Sequence, residues 1–117
     1  MDKGFRKLIA WRKGHDLTLT VYKLTSAFPS QEKFGLVSQM RRAAVSIPAN
    51  IAEGYTRQHS GEFRQALNVA KGSLAELEYY LELCNDLGYI DGSSYSNLSA
   101  QLDETARVLS GLVRSQR

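Results

Sequence analysis

Five positive charges fall within eleven residues near the start of the chain: Lys3, Arg6, Lys7, Arg12 and Lys13, with Phe5 and Trp11 between them. Lysines at this density can follow a phosphate backbone, and an aromatic ring beside an arginine is a platform on which an unpaired base stacks. A second basic pair, Arg41 and Arg42, lies in an otherwise uncharged run, and Arg57 and Arg64 follow. Adjacent residues on a helix diverge by about 100°, so both arginines of the pair cannot face a core and at least one is open to a partner. A more ordinary reading competes at each place. A basic terminus is often only solvated, Phe5 and Trp11 can cover the end of a fold, and Arg41 or Arg42 can pair with Glu53, Glu76 or another subunit.

Bond-breaking chemistry has little to draw on. His59, Glu62 and Cys84 are the only residues from which a catalytic or metal constellation can be assembled. Cys84 falls on an apolar stripe, where a free cysteine packs as a small hydrophobe. His15 and His59 are isolated, with no HExxH or CxxC spacing, and no glycine-rich phosphate loop follows a strand. No enzymatic activity, metal or cofactor is expected.

The elements that position these groups are legible from apolar spacing. Phe63, Leu67, Ala70, Leu74, Leu77, Leu81 and Cys84 advance in alternating steps of four and three, one side of a helix over about six turns. Leu17, Val21, Leu24 and Phe28 give a shorter stripe closed by Pro29 and Ser30. Leu98, Leu102, Ala106, Leu109 and Val113 give another, with Asp91 as its N-cap, and Gly88 stops the stripe before it. Between them, Leu36, Met40, Ala43 or Ala44, Ile47, Ile51, Gly54 and Tyr55 keep one helical phase across Pro48, which predicts a kinked but continuous helix. The proline leaves the Ala44 carbonyl without its donor, and Ser46 and Asn50 are the nearby groups that can help satisfy what is freed. Glu53 and Arg57 support the same helix at i and i+4, and Ser60 caps the next.

Four helices result, at about 9–27, 34–58, 61–88 and 92–115. Short connections make neighbours antiparallel, so the expectation is an all-α, up-down-up-down four-helix bundle forming a single domain over 1–117. The longest uncharged run, Gly92 to Leu102, is too short to span a membrane, and the N-terminus lacks the apolar stretch of a signal peptide. A lone cysteine forms no internal disulfide, which points to the cytoplasm.

Charge is polarised along the chain. Residues 1–72 carry twelve Lys/Arg against five Asp/Glu, a surplus of +7, whereas residues 73–106 carry seven acids and no base, −7. Side-by-side packing neutralises part of this, and only the remaining surplus is a candidate for phosphate. On the third helix the order is unfavourable to an isolated helix: Arg64 and Lys71 precede Glu78, Glu82 and Asp86, against the macrodipole and with like charges at i, i+4. Such charges need partners, either on the first or fourth helix or on a second subunit. Gly72 and Tyr79, on the back of that helix, point to a subunit contact.

The run QMRRAAVSIPANIAEGYTR, from Gln39 to Arg57, followed by EF, ALNVAKGSLAELE and LCNDLGYI, resembles the family of small four-helix-bundle proteins encoded in intervening sequences of bacterial large-subunit ribosomal RNA genes. The likeness extends from about Leu8 to Ile90. It implies a ring of five subunits and brings no catalytic residue, with Asn50, Glu53 and Gly54 as structural positions beside Pro48, structural through the kink. The accessory protein of diversity-generating retroelements, a basic five-membered ring that binds nucleic acid, is a more distant likeness. Two functions follow as expectations: a homo-oligomer binding RNA or single-stranded DNA through repeated basic surfaces, or an oligomeric scaffold that docks another protein.

Overall fold

The computed structural model describes residues 4–116, so Lys3 lies outside the described residues. A 3-10 turn, Gly4–Lys7, leads into helix α1 (Ile9–Thr25); a second, Ser30–Glu32, precedes α2 (Leu36–Tyr55); α3 (Ser60–Asp86) and α4 (Gly92–Ser115) complete the chain. Among the described residues there is no strand. Each helix packs on its chain neighbours, and α4 closes against α1.

The apolar stripes become the core, with two substitutions of position. Leu17, Met40, Ile47, Ile51, Leu67, Leu77, Leu81, Leu98 and Leu109 are fully buried. On α4, Thr105 takes the place the spacing gave to Ala106: Thr105 is buried and its hydroxyl donates to Gln101 O, while Ala106 is exposed. Phe28 is buried beyond the end of α1, not on it, and packs 5.3 Å from the Tyr89 ring. Tyr89 in turn donates to Glu32 Oε2 at 2.8 Å, while Glu32 Oε1 accepts from Leu36 N. The carboxylate therefore satisfies a donor at the start of α2 and ties both loops of that end together.

Helix ends follow local chemistry. Asp91 caps α4, accepting from Ser94 N at 2.8 Å. Gly88, at φ 78°, ends α3 with Tyr89 N donating to Cys84 O, a left-handed stop open to glycine at little cost. At the other end of α3 the cap position falls on His59, whose side chain makes no capping bond; Ser60, expected as the cap, is the first helical residue.

α2 runs unbroken through Pro48, which is buried. The carbonyl of Ala44, which an i+4 amide would otherwise meet, lies 3.0 Å from Thr18 Oγ1 on α1. Ser46 and Asn50 do different work: Asn50 Nδ2 donates to Ser46 O at 2.7 Å and to Ser46 Oγ at 3.0 Å, and Ser73 Oγ on α3 lies 2.8 Å from Ser46 Oγ. Close approach on both sides of α2 depends on glycine. A Cβ on Gly54 would stand 2.6 Å from Ala66 Cβ, and one on Gly14 would stand 3.0 Å from Ile47 Cγ2 and 3.5 Å from Pro48 Cδ.

Candidate nucleic-acid interface

Residue pairs across the helices run in opposite chain order. Gly14 meets Ile47 and Thr25 meets Arg41; Ser46 meets Ser73 and Gly54 meets Ala66; Lys13 meets Glu104. The start of α1, the end of α2, the start of α3 and the end of α4 are therefore neighbours. This gathers Arg6, Lys7, Arg12, Lys13, Arg57 and Arg64 at one end of the bundle. Lys7 Nζ lies 5.4 Å from the Tyr55 ring centre, Tyr55 lies edge-on to Phe63, and Lys7 and Leu8 share a surface groove with Val108 and Leu112. Arg107 and Arg114, which were not among the candidate residues, lie on the part of α4 that reaches this end.

Arg6, Lys7, Arg12, Arg57 and Arg64 are exposed. Lys13 and Arg57 are partly committed to carboxylates. Lys13 pairs with Glu104, holding that carboxyl below its usual range through the lysine hydrogen bond and charge, and Arg57 pairs with Glu53 one turn earlier. Both pairs are half exposed, where ion pairs contribute a few tenths of a kcal/mol up to about 1 kcal/mol. Phe5, Trp11 and His15 form a stack: Phe5 and Trp11 are 5.1 Å apart and tilted, Trp11 and His15 are 5.0 Å apart and nearly parallel. Arg6 and Arg12 lie over Phe5 and Trp11 at 4.7 and 5.1 Å. Trp11 also packs against the core, so this aromatic set covers the bundle end while carrying guanidinium groups outward.

Arg41 and Arg42 do not join that end. Arg41 is half buried: Nε donates to Thr25 Oγ1 at 2.9 Å, Nη2 donates to Tyr22 O at 3.3 Å, and the guanidinium lies 4.5 Å from the Tyr22 ring centre. It holds a cation at the C-terminal carbonyls of α1, where the helix dipole favours one. Neither Glu53 nor Glu76 is its partner. Arg42 is exposed and lines a shallow groove with Tyr22, Lys33, Phe34 and Val45. Phe34, 88% exposed, carried no sequence signal: the helix expected from about 34 begins at Leu36, where its apolar series starts, and leaves Phe34 outside.

On α3, Tyr79 is 61% exposed and a Cβ on Gly72 would meet nothing. Glu78 and Lys71 border a groove floored by Leu74, Ala75, Leu102 and Ala106. Glu82 accepts from Tyr95 OH, which raises that phenol's pKa, with Asp86 and Asp103 adding to the effect from nearby. Among the described residues neither Glu78 nor Asp86 has an ion-pair partner, and no group of three or more metal-ligating side chains forms. Cys84 is fully buried, and burial pushes its thiol up to about 11. No described helix is long and apolar enough to cross a membrane.

A four-helix chain with one basic end, two close-packed glycine contacts on α2 and a polar Ser46–Asn50–Ser73 cluster defines a class of small helical-bundle proteins. Within it, this chain belongs to the 23S rRNA-intervening sequence protein family, whose profile matches residues 6–111. A solved structure from Bacteroides thetaiotaomicron VPI-5482, a protein of unknown function from the S23 ribosomal protein family, is similar at 26% identity and a TM-score of 0.81, covering 92% of this chain and 100% of that one. No curated protein matches the chain.

Proposed function

We propose that this chain is a non-enzymatic, self-assembling protein of the cytoplasm that binds RNA or single-stranded DNA through phosphate contacts without reading bases. One observation carries the reading: Arg6, Lys7, Arg12, Lys13, Arg57 and Arg64, scattered over 59 positions of sequence, converge on one end of the bundle with most of them exposed. Contacts to a phosphate backbone need that density and need no fixed side-chain geometry. A ring of five, the assembly implied by the family resemblance, repeats the basic end around an axis and multiplies its affinity for a long strand. The lone, buried Cys84 supports a reducing compartment.

The second reading, a scaffold docking another protein, is favoured by a different observation, the exposure of Phe34, Val69 and Tyr79. Fluorescence anisotropy with labelled RNA separates the two. Binding is expected to vary little with sequence and to fall log-linearly with salt, by about 0.7 in slope for each phosphate neutralised. An absence of binding at low ionic strength, where electrostatic attraction is strongest, leaves the scaffold.

A further inference from the structure

Phe34 is an aromatic side chain that stands almost wholly in solvent, held at the start of α2 beside Lys33, Arg42 and Val45. Lys33 Nζ lies 5.6 Å from its ring centre. Across the molecule, the groove between α3 and α4 has the opposite character. Leu74, Ala75, Leu102 and Ala106 floor it, Glu78 borders it, and Glu82, Asp86 and Asp103 lie around Tyr95 further along the same two helices. Its volume is about 180 Å³. Among the described residues, Lys71 is the one cation on its rim.

Among the described residues, Lys33, Arg42, Glu78, Asp86 and Asp103 have no ion-pair partner. One chain thus presents an apolar knob beside two bases without ion-pair partners, and an apolar groove bordered by Lys71 and Glu78 with Asp86 and Asp103 further along the same helices. These two surfaces lie on different sides of the bundle, so they cannot meet within one copy. We infer that they meet between copies: Phe34 of one subunit enters the α3–α4 groove of the next, with Lys33 and Arg42 set against Glu78 and the acids beyond it. The inference rests on the self-assembly reading above and gives it an orientation. The contact is heterologous, each subunit offering its knob to one neighbour and its groove to another, which is the geometry that builds rings. It also accounts for the order of charge along α3, since Glu78 and Asp86 find outside the chain the partners they lack within it.

The test uses two exposed positions. Phe34→Asp places a carboxylate where the apolar floor beside Glu78 would receive the ring, and Ala106→Trp fills the groove; Ala75→Trp, on the same floor, serves if the first filling variant loses helicity by circular dichroism. Light scattering in line with gel filtration is expected to give an oligomer for wild type and a monomer for each variant. An equimolar mixture is expected to give a 1:1 dimer and nothing larger, because only one knob and one groove remain intact between the two chains. An oligomer for either variant, or a mixture that stays monomeric, overturns the inference while leaving self-assembly standing. A monomeric wild type overturns both. If Phe34→Asp assembles normally and loses RNA binding instead, the knob belongs to a nucleic-acid surface and the inference fails.

Discussion

Thr18 and Pro48 are coupled through a backbone atom that belongs to neither: Thr18 Oγ1 lies 3.0 Å from Ala44 O, the acceptor that Pro48, lacking an amide hydrogen, cannot reach. The same hydroxyl lies 2.8 Å from Gly14 O, so its single proton is shared between two helices. Pro48 remains in α2 because its neighbour helix supplies the missing donor and Gly14 leaves room for the ring.

This relationship predicts a non-additive pair. Thr18→Val keeps the shape and removes the donor, and is expected to cost about 1–2 kcal/mol, the penalty of a partly buried carbonyl left unmet. Pro48→Ala restores an amide that bonds Ala44 O within the helix, so its own effect on stability should be small or favourable. In the Pro48→Ala background the Thr18→Val cost should drop to a few tenths of a kcal/mol. A double-mutant cycle by urea denaturation reads the coupling. If Pro48 bends α2 and the bend shapes a subunit contact, Pro48→Ala is also expected to assemble more weakly at unchanged stability.

Two glycines should respond in opposite ways. Gly54→Ala places a Cβ 2.6 Å from Ala66 Cβ and 3.0 Å from Phe63 Cδ1, forcing α2 and α3 apart; a loss of about 1–3 kcal/mol is expected. Gly72→Ala meets nothing and replaces a mid-helix glycine, so it should stabilise the folded chain by up to about 1 kcal/mol. If Gly72 lies in a subunit contact, the same substitution lowers the assembled fraction. Thermal denaturation and light scattering on both variants separate these effects.

Cys84 gives a pH-dependent signature. Its folded thiol is raised to about 11, chiefly by burial, above the value it takes in the unfolded chain. A raised folded pKa favours the protonated form, so the contribution to stability is full below the unfolded thiol's pKa and is lost as pH rises toward about 11. Native protein is expected to react with a thiol reagent at the rate of global opening, and unfolded protein immediately. Rapid modification of the native chain at pH 8 would contradict the burial.

The fold was legible because α3 repeats its four-and-three spacing over six turns, a pattern that no strand shares. Asp91 and Gly88 were legible too, since their side-chain chemistry fixes local geometry without help from distant residues. Phe34 was not: the helix expected from about 34 has its apolar series starting at Leu36, so nothing in the spacing marks Phe34, and the turn closed by Glu32 at Leu36 N sets it outside α2. The partners of Arg41 were not legible for a related reason. Its partners are a hydroxyl and a carbonyl at the end of α1, and neither carries a charge that marks it in sequence. The basic end was half legible: Arg6 to Lys13 cluster locally, but Arg57 and Arg64 reach them only through the helix arrangement.

That difference between the arginines yields the sharpest separation of roles. Arg41→Gln removes the cation held at Tyr22 O and Thr25 Oγ1 and is expected to lower stability by about 1 kcal/mol while leaving the salt slope of RNA binding unchanged. Arg42→Gln, exposed and without an ion-pair partner among the described residues, should leave stability unchanged and, if it takes part in subunit contact, weaken assembly. Arg12→Gln with Arg64→Gln, both exposed at the basic end, should preserve the fold and reduce the magnitude of the salt slope by about 0.7 for each phosphate no longer neutralised, equally for RNAs of unrelated sequence. Assembly is measured first on every variant, because a dispersed ring binds a long strand more weakly whatever residue was changed. A slope that stays at the wild-type value in an assembly-competent Arg12/Arg64 variant would move the phosphate contacts away from this end of the bundle. A change in sequence preference would replace phosphate contact by base readout there.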